Sequence, residues 1–243
     1  MSGRYVVATP ITDLADMFGA AIDDSARDLE PSYNVAPTDR IPIVLERTED
    51  GRRELHGARW GLVPPWTRDL GDKHKRLSAR LLINARLETA PASPAYRAAF
   101  AKRRCVVPAT GYYEWQRLPD GQKQPQFIHA TDDSLLAMAG LFEWWEDTRL
   151  PDDHPDRWGA SASIITTTPT EHFAPIHDRM PALLTHDAIP EWLDRRTTHL
   201  HEIAELLRTT TPTVAETIAF HSVGADVGNV RNNHQGLIAP TAD

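Results

Sequence analysis

The stretch from Arg104 to Trp144, RCVVPATGYYEWQRLPDGQKQPQFIHATDDSLLAMAGLFEW, decides the fold class. Four apolar segments lie in it with no helical period between them: Cys105–Val107, Tyr112–Gln116, Pro125–His129 and Leu135–Trp144. Each is short, rich in strand-forming side chains and bounded by turn formers, which is how a strand reads. The second and third are linked across Gly121, a natural turn residue, so they form a hairpin. Strands that follow one another without helices between them disfavour a doubly wound parallel sheet.

Working outward, Ile41–Glu46 and Glu54–Trp60 read as another strand pair joined by the turn-like Glu49-Asp50-Gly51. Ala160–Thr167, with β-branched Ile164, Ile165, Thr166 and Thr167, and Thr217–Val223 read as strands as well. Helices are few. Thr12 opens a short one through about Phe18, with Leu14, Ala15 and Phe18 on its apolar face. Ser93-Pro94 predicts a helix start, with Ser as cap and Pro at the first position, running to about Lys102. Ile189–Asp194 and His201–Arg208 also read as helical. Tyr33–Thr38 reads as extended, and the paired prolines of Gly61–Trp66 forbid a helix. Thr67–Leu81 reads as a basic surface loop or frayed helix, Asp147–Gly159 as a polar loop, and the tail after Leu237 as loose. The expected architecture is α+β: a single domain over residues 1–243, with mixed, mostly antiparallel sheets forming a barrel-like core flanked by helices.

The composition suits that picture. Of 243 residues, 41% are hydrophobic and 25% charged, so the chain can bury a core without disulfides or metal. Cys105 is the single cysteine, which excludes an intrachain disulfide, and its apolar surroundings predict a buried, inert thiol. No apolar run reaches membrane-spanning length, and the N-terminus lacks the pattern of a signal peptide. A cytoplasmic, nucleoid-associated protein is expected. The formal net charge of −8 argues against a surface that coats nucleic acid, while leaving a local basic cleft open. Arg4, Arg86, Arg179 and Arg231 sit in non-helical contexts; each alone reads as a solvated charge, and only their co-location would change that.

Several familiar chemistries are absent, among them GxxxxGK[ST], HExxH, CxxC and GxSxG. His199 and His201 open a polar helix, where solvation is a better reading than metal ligation. Three segments carry polar groups where fold alone would not require them. Ile83-Asn84-Ala85-Arg86 sets an amide beside a cation, or simply caps a turn. Gly111-Tyr112-Tyr113-Glu114-Trp115 places a carboxylate in an aromatic strand; ordinary alternation would put Glu114 on an outward face, opposite Tyr113 and Trp115. Ala174-Pro175-Ile176-His177-Asp178-Arg179-Met180-Pro181 presents titratable groups between prolines, and a carboxylate with an imidazole is the usual pair for proton transfer near neutral pH. Trp66 and Trp115 are candidate stacking platforms for a base, although core packing is the commoner fate of tryptophan.

Taken in order, Gly3-Arg4-Tyr5, Tyr33-Asn34-Val35-Ala36-Pro37, Arg59-Trp60-Gly61-Leu62-Val63-Pro64, Ile83 through Thr89, Gly111 through Trp115, His177 through Pro181 and Gly228-Asn229-Val230-Arg231-Asn232 resemble the signatures of the SOS-response-associated peptidase (SRAP) family. The resemblance spans residue 3 to about Leu237. It implies a DNA-damage protein that shields abasic sites in single-stranded DNA, replication-fork DNA included, acting as a monomer with no metal or other cofactor. It also implies removal of Met1, a Schiff base between the new N-terminal amine and the ring-opened sugar, and closure of a stable thiazolidine by a cysteine thiol. Carried over residue by residue, Glu114 manages protons, His177 serves as general acid–base in opening the sugar, and Asn84 orients the sugar or amine. Arg4, Arg86 and Arg179 hold phosphates, Trp66 and Trp115 meet bases, and Thr167 joins the DNA contacts.

One position departs from that pattern. Ser2 stands where the family has its nucleophilic cysteine, and Cys105 lies too far along an apolar strand to replace it. Serine retains the amine, so an imine can form, but its hydroxyl closes only an oxazolidine that reopens readily. The expectation is a chain that binds abasic DNA with little lasting crosslink. While Met1 is in place the nitrogen of residue 2 is an amide and attacks nothing. Ser2 is open to two readings, an engineered substitution or a natural divergence. Two other functions compete: a peptidase using Ser2 with His177 and Glu114, with lyase or self-processing activity, and a non-catalytic module for single-stranded DNA or junctions.

Overall fold

A computed structural model describes residues 3–47, 50–67, 82–148, 150–154, 157–197 and 199–241. Ser2, Glu49 of the expected turn and the basic stretch 68–81 lie outside the described residues. In chain order, β1 (Tyr5–Val7) leads to α1 (Ile11–Phe18), β2 (Ala20–Ile22), β3 (Ser32–Val35), β4 (Arg40–Glu46) and β5 (Arg53–Trp60). Next come β6 (Asn84–Arg86), α2 (Arg97–Lys102), β7 (Arg104–Ala109), β8 (Gly111–Arg117), β9 (Lys123–Ala130) and β10 (Leu136–Glu146). β11 (Trp158–Thr167), β12 (Met180–Pro181), β13 (Leu183–Leu184), α3 (Ile189–Leu193), α4 (Leu200–Ala215) and β14 (Ile218–Ser222) follow.

The barrel-like core is present. β5, β4, β7, β10 and β11 pair antiparallel in that order, and a parallel pairing of β11 with β5 closes the ring. Closure removes two sheet edges that would otherwise need cover. β7 is buried at every residue, which explains why its sequence is apolar without alternation.

The other sheet has the order β14-β9-β8-β1-β3, and side-chain alternation divides it into two faces. Tyr5, Tyr112 and Ile128 join the main core; Val6, Tyr113 and Phe127 turn to a second cluster with Val223, Val227 and Leu237. A sheet that is apolar on both faces needs cover on both. The chain after Leu237, expected to be loose, helps supply it: Val223 bridges to Pro240, the Thr241 amide donates to Ser222 O at 2.9 Å, and His221 Nε2 lies 2.8 Å from Ile238 O.

Local differences from the sequence reading have local causes. α2 starts at Arg97 rather than Ser93, because the Ser93 carbonyl accepts the Tyr96 and Arg97 amides and forms a turn first. α4 runs past Arg208 to Ala215, carrying Pro212 inside it. Tertiary anchoring offsets that lost donor: Ile203 and Leu207 are buried, and the Thr210 and Thr211 hydroxyls bond Leu183 of β13. Among the described residues, no helix is long and apolar enough to cross a membrane.

Candidate active site

The first described residues are locked into the sheet. β1 pairs with β8 through Tyr5↔Tyr112 and Val6↔Gly111, and the Tyr113 amide donates to Arg4 O at 3.0 Å. The same register, continued, sets Gly3 level with Glu114. Gly3 is buried with φ +81°, a conformation costly for other residues. A Cβ there would lie 2.9 Å from Ile83 Cδ1 and 3.4 Å from Pro37 Cγ. Gly3 therefore sits directly beneath the residue preceding Asn84.

Glu114 shares the face of Tyr112 and is 2% exposed, so the outward reading of this carboxylate is corrected. Alternation still holds, since Tyr113 and Trp115 turn to the second cluster; what faces inward is Glu114, at the rim of the main core. Burial pushes the Tyr112 hydroxyl far above its ordinary range, and the nearby Glu114 charge adds to that.

The loop before β12 brings His177 to this carboxylate, with Nε2 3.9 Å from Glu114 Oε2. Phe173 and Ile176 are buried and anchor the loop, and the Ile176 amide donates to Phe173 O at 3.0 Å. His177 Nδ1 accepts the Arg179 amide at 3.0 Å and lies 2.9 Å from Asp178 Oδ1. A backbone amide can only donate, so the hydrogen-bond network assigns the proton of the neutral imidazole to Nε2, facing Glu114. When the ring is doubly protonated, the Nδ1 hydrogen finds Asp178.

Asn84 opens β6, a strand absent from the sequence reading, which runs parallel to β11 with Asn84 opposite Ile164. Its backbone is held from two sides: Tyr96 donates its hydroxyl to Asn84 O at 2.9 Å, and Ile83 O accepts from Trp60 Nε1 and the Ile164 amide. Gly3 is thereby set against Ile83, the neighbour of Asn84, and His177 against Glu114, so that distant segments meet in two contacts.

The predicted DNA contacts separate. Arg179 forks onto Glu88, with Nη1–Oε1 3.0 Å and Nη2–Oε2 2.8 Å, and also donates to Thr166 O. Burial pushes the Glu88 carboxyl up, but the bonds and charge of Arg179, with Arg86, outweigh it and hold the group below its ordinary range. Arg86 is exposed beside them, and Thr167, opposite Met180, ends β11 next to the same group. Arg4 is half-buried and donates to Asn34 Oδ1, Val227 O and Gly228 O; burial lowers its pKa, with Asp39 partly opposing. Arg231 is exposed on the loop that Arg4 holds. Trp66 is 60% exposed, whereas Trp115 packs on the second cluster.

Two features escaped the sequence reading. Asn34, 3% exposed, points its Nδ2 at Val227 O, Asn229 O and Asn232 O, 2.9 to 3.2 Å away and sharing its two hydrogens, while its Oδ1 accepts from Arg4, so it ties β3 to the Gly228–Asn232 loop. Its only sequence signal was an amide inside an extended segment. A groove of about 940 Å³, lined by Asp23, His56, Arg59, Trp144 and Trp158 among others, is bordered by none of the predicted site residues. Among the described residues, no group of three His, Cys, Asp or Glu side chains is placed to hold a metal ion.

The family described as SOS response associated peptidase (SRAP) matches residues 1–230. The abasic site processing protein YoaM of Bacillus subtilis is 34% identical over 238 residues, covering 98% of this chain and 97% of YoaM. The abasic site processing protein HMCES of Gallus gallus is 35% identical over 239 residues, covering 86% of this chain and 66% of HMCES. A crystal structure of a protein from Bacteroides thetaiotaomicron matches with a TM-score of 0.81 at 26% identity, covering 98% of this chain and 99% of that one.

Proposed function

Since the chain belongs to the SRAP family, we propose that it processes abasic sites in single-stranded DNA through the amine of residue 2, exposed once Met1 is removed. What supports this reading is that Gly3 packs against Ile83, next to Asn84, and continues the register toward Glu114, which His177 Nε2 approaches to 3.9 Å. Gly3 is the covalent neighbour of the attacking residue, so the amine belongs where the carboxylate and imidazole meet.

The chemistry follows from those groups. An α-amine has a pKa of about 7.7–8.0, so a useful fraction is neutral near neutral pH. The Glu114 carboxylate accepts a proton from the ammonium, and the freed nitrogen attacks C1′ of the ring-opened sugar aldehyde. As the N–C bond forms, the carbonyl oxygen takes the Nε2 proton of the His177 imidazolium and becomes a hydroxyl, and the nitrogen returns one of its own protons to that ring. The hydroxyl then leaves as water with the proton that Glu114 took from the ammonium, which gives the protonated imine and restores the carboxylate. The Asn84 amide orients the sugar oxygen or the amine. The Ser2 hydroxyl can add to the imine as an oxazolidine, but oxygen is a poor nucleophile here and the ring reopens. No step calls for a metal or organic cofactor, and all the groups come from one chain, so a monomer suffices.

Arg86 and Arg179 are the phosphate contacts in this reading, with a phosphate replacing Glu88 in the Arg179 fork. Arg4 shapes the neighbouring loop and offers its remaining donors, Thr167 lies beside them, and Trp66 stacks a base. Strands opened at a replication fork supply such DNA. The test compares affinity for abasic and intact oligonucleotides and traps the imine with borohydride. Tighter abasic binding and a reducible adduct are expected; equal affinity with no trapping overturns the reading.

Gly3→Ala tests the placement of the amine. The left-handed backbone alone costs an alanine about 1–2 kcal/mol, and the methyl must also displace Ile83 Cδ1. The trapping rate is expected to fall about tenfold or more, at an assay temperature well below a melting temperature that the strain lowers by a few degrees. An unchanged rate would separate Gly3 from the site.

A further inference from the structure

Glu114 has a polar neighbour across the sheet that the reaction above leaves unused. Gln126 is its direct partner in the β8–β9 ladder and the partner of Ser222 in the β9–β14 ladder. Ser222, Gln126 and Glu114 therefore form one row across three strands, all on one face. Gln126 is 4% exposed, so its amide requires partners within the protein.

An amide beside a carboxylate would ordinarily donate to it. Here Gln126 Nε2 donates instead to Gln116 Oε1 at 3.0 Å and to Ser222 Oγ at 3.2 Å, and the Ser222 hydroxyl lies 3.4 Å from Gln126 Oε1. Gln116 is two residues beyond Glu114 on the same strand and faces the same way. With its oxygen fixed by Gln126, its Nε2 is directed outward and donates to Pro175 O at 3.4 Å. Pro175 stands two residues before His177. A line of hydrogen bonds thus runs from β14 through the sheet to the loop that sets His177 Nε2 3.9 Å from Glu114.

We propose that Gln116, aligned by the buried Gln126, is a positioning residue that holds the His177 loop against Glu114. The bond to Pro175 O is long and exposed, so it contributes geometry to the loop more than stability to the fold. The proposal rests on the acid–base role assigned to His177. If the loop is released, the imidazole stands off from the carboxylate and from the sugar oxygen it must serve, while the DNA-binding side chains stay in place.

The experiment measures borohydride-trapping time courses on an abasic oligonucleotide across protein concentrations, for the parent chain, Gln116→Met, Gln116→Glu, His177→Ala and Gln116→Met with His177→Ala. Methionine keeps the volume without the donor, and glutamate keeps an acceptor for Gln126 while losing the donor to Pro175. Both single variants are expected to lower the maximal rate about tenfold, with the half-saturating concentration unchanged. The double variant is expected to match His177→Ala, because a residue acting through His177 has nothing left to act on. Full rate in the Gln116 variants beside a slow His177→Ala overturns the anchoring alone. So does a Gln116 loss that adds in full to that of His177→Ala, or one confined to the half-saturating concentration. A His177→Ala chain that traps at full rate overturns both the anchoring and the role of His177.

Discussion

Ser2→Cys is expected to change the abasic-DNA adduct from one seen only after borohydride reduction to one that survives heating without it. The two side chains differ by one atom, and the difference is chemical. The α-amine forms the same imine in both, with Glu114 taking the proton from the ammonium. A thiol has a few per cent of thiolate at neutral pH and is intrinsically a strong nucleophile, whereas a serine hydroxyl is neither ionised nor activated here. The sulfur closes a five-membered ring on the imine carbon and stays; the oxygen ring reopens and returns the imine to hydrolysis. Denaturing gels after heating, with and without borohydride, read the result directly. A heat-stable adduct formed in quantity by the Ser2 chain itself would sink the argument, as would a Ser2→Cys chain that still needs the reductant. Intact mass must accompany both, since a retained Met1 blocks either residue.

Glu114→Gln is the second large expected effect. Its carboxylate is 2% exposed and lies in a strand whose neighbours Tyr112 and Tyr113 are fully buried. Glutamine matches its shape, so the fold should survive with a near-normal melting temperature. What it loses is the capacity to accept a proton from the amine. Proton transfer by a placed group contributes about 100- to 10,000-fold, and the imine-trapping rate is expected to fall within that range. Affinity for abasic DNA should change far less, because the proposed phosphate contacts, Arg86 and Arg179, lie on other segments. Raising the pH should recover part of the lost rate, since more of the amine is then neutral without help. A Glu114→Gln chain that traps at the parent rate would remove the carboxylate from the mechanism.

Much of this molecule was legible beforehand, for identifiable reasons. The segments around Cys105, Tyr112, Pro125 and Leu135 became β7 to β10 because strand formers bounded by turn residues leave the backbone few alternatives. α1 matched because its apolar spacing and Gly19, a left-handed cap, act within one short stretch. The ordered motifs also named Glu114 and His177, which the fold sets 3.9 Å apart. Three things were not legible. The direction of Glu114 could not be read, since alternation says only that it opposes Tyr113, and both faces of β8 are covered. β6 has three residues and exists only because β11 is there to pair with it. The cover over the second cluster comes from a C-terminal stretch whose own sequence is polar, and only the apolar face beneath it calls for it.

By itself, then, the sequence determined the α+β class, the family and a serine at position 2, because these depend on local pattern and residue identity. Only the tertiary structure decided that β11 closes the barrel on β5, that Gly3 lies beneath Ile83, that Arg179 holds Glu88, and that Gln126 reaches the His177 loop through Gln116. Each of these is a contact between residues far apart in the chain. No local preference encodes such a contact; it follows from how two sheets with buried faces must stack.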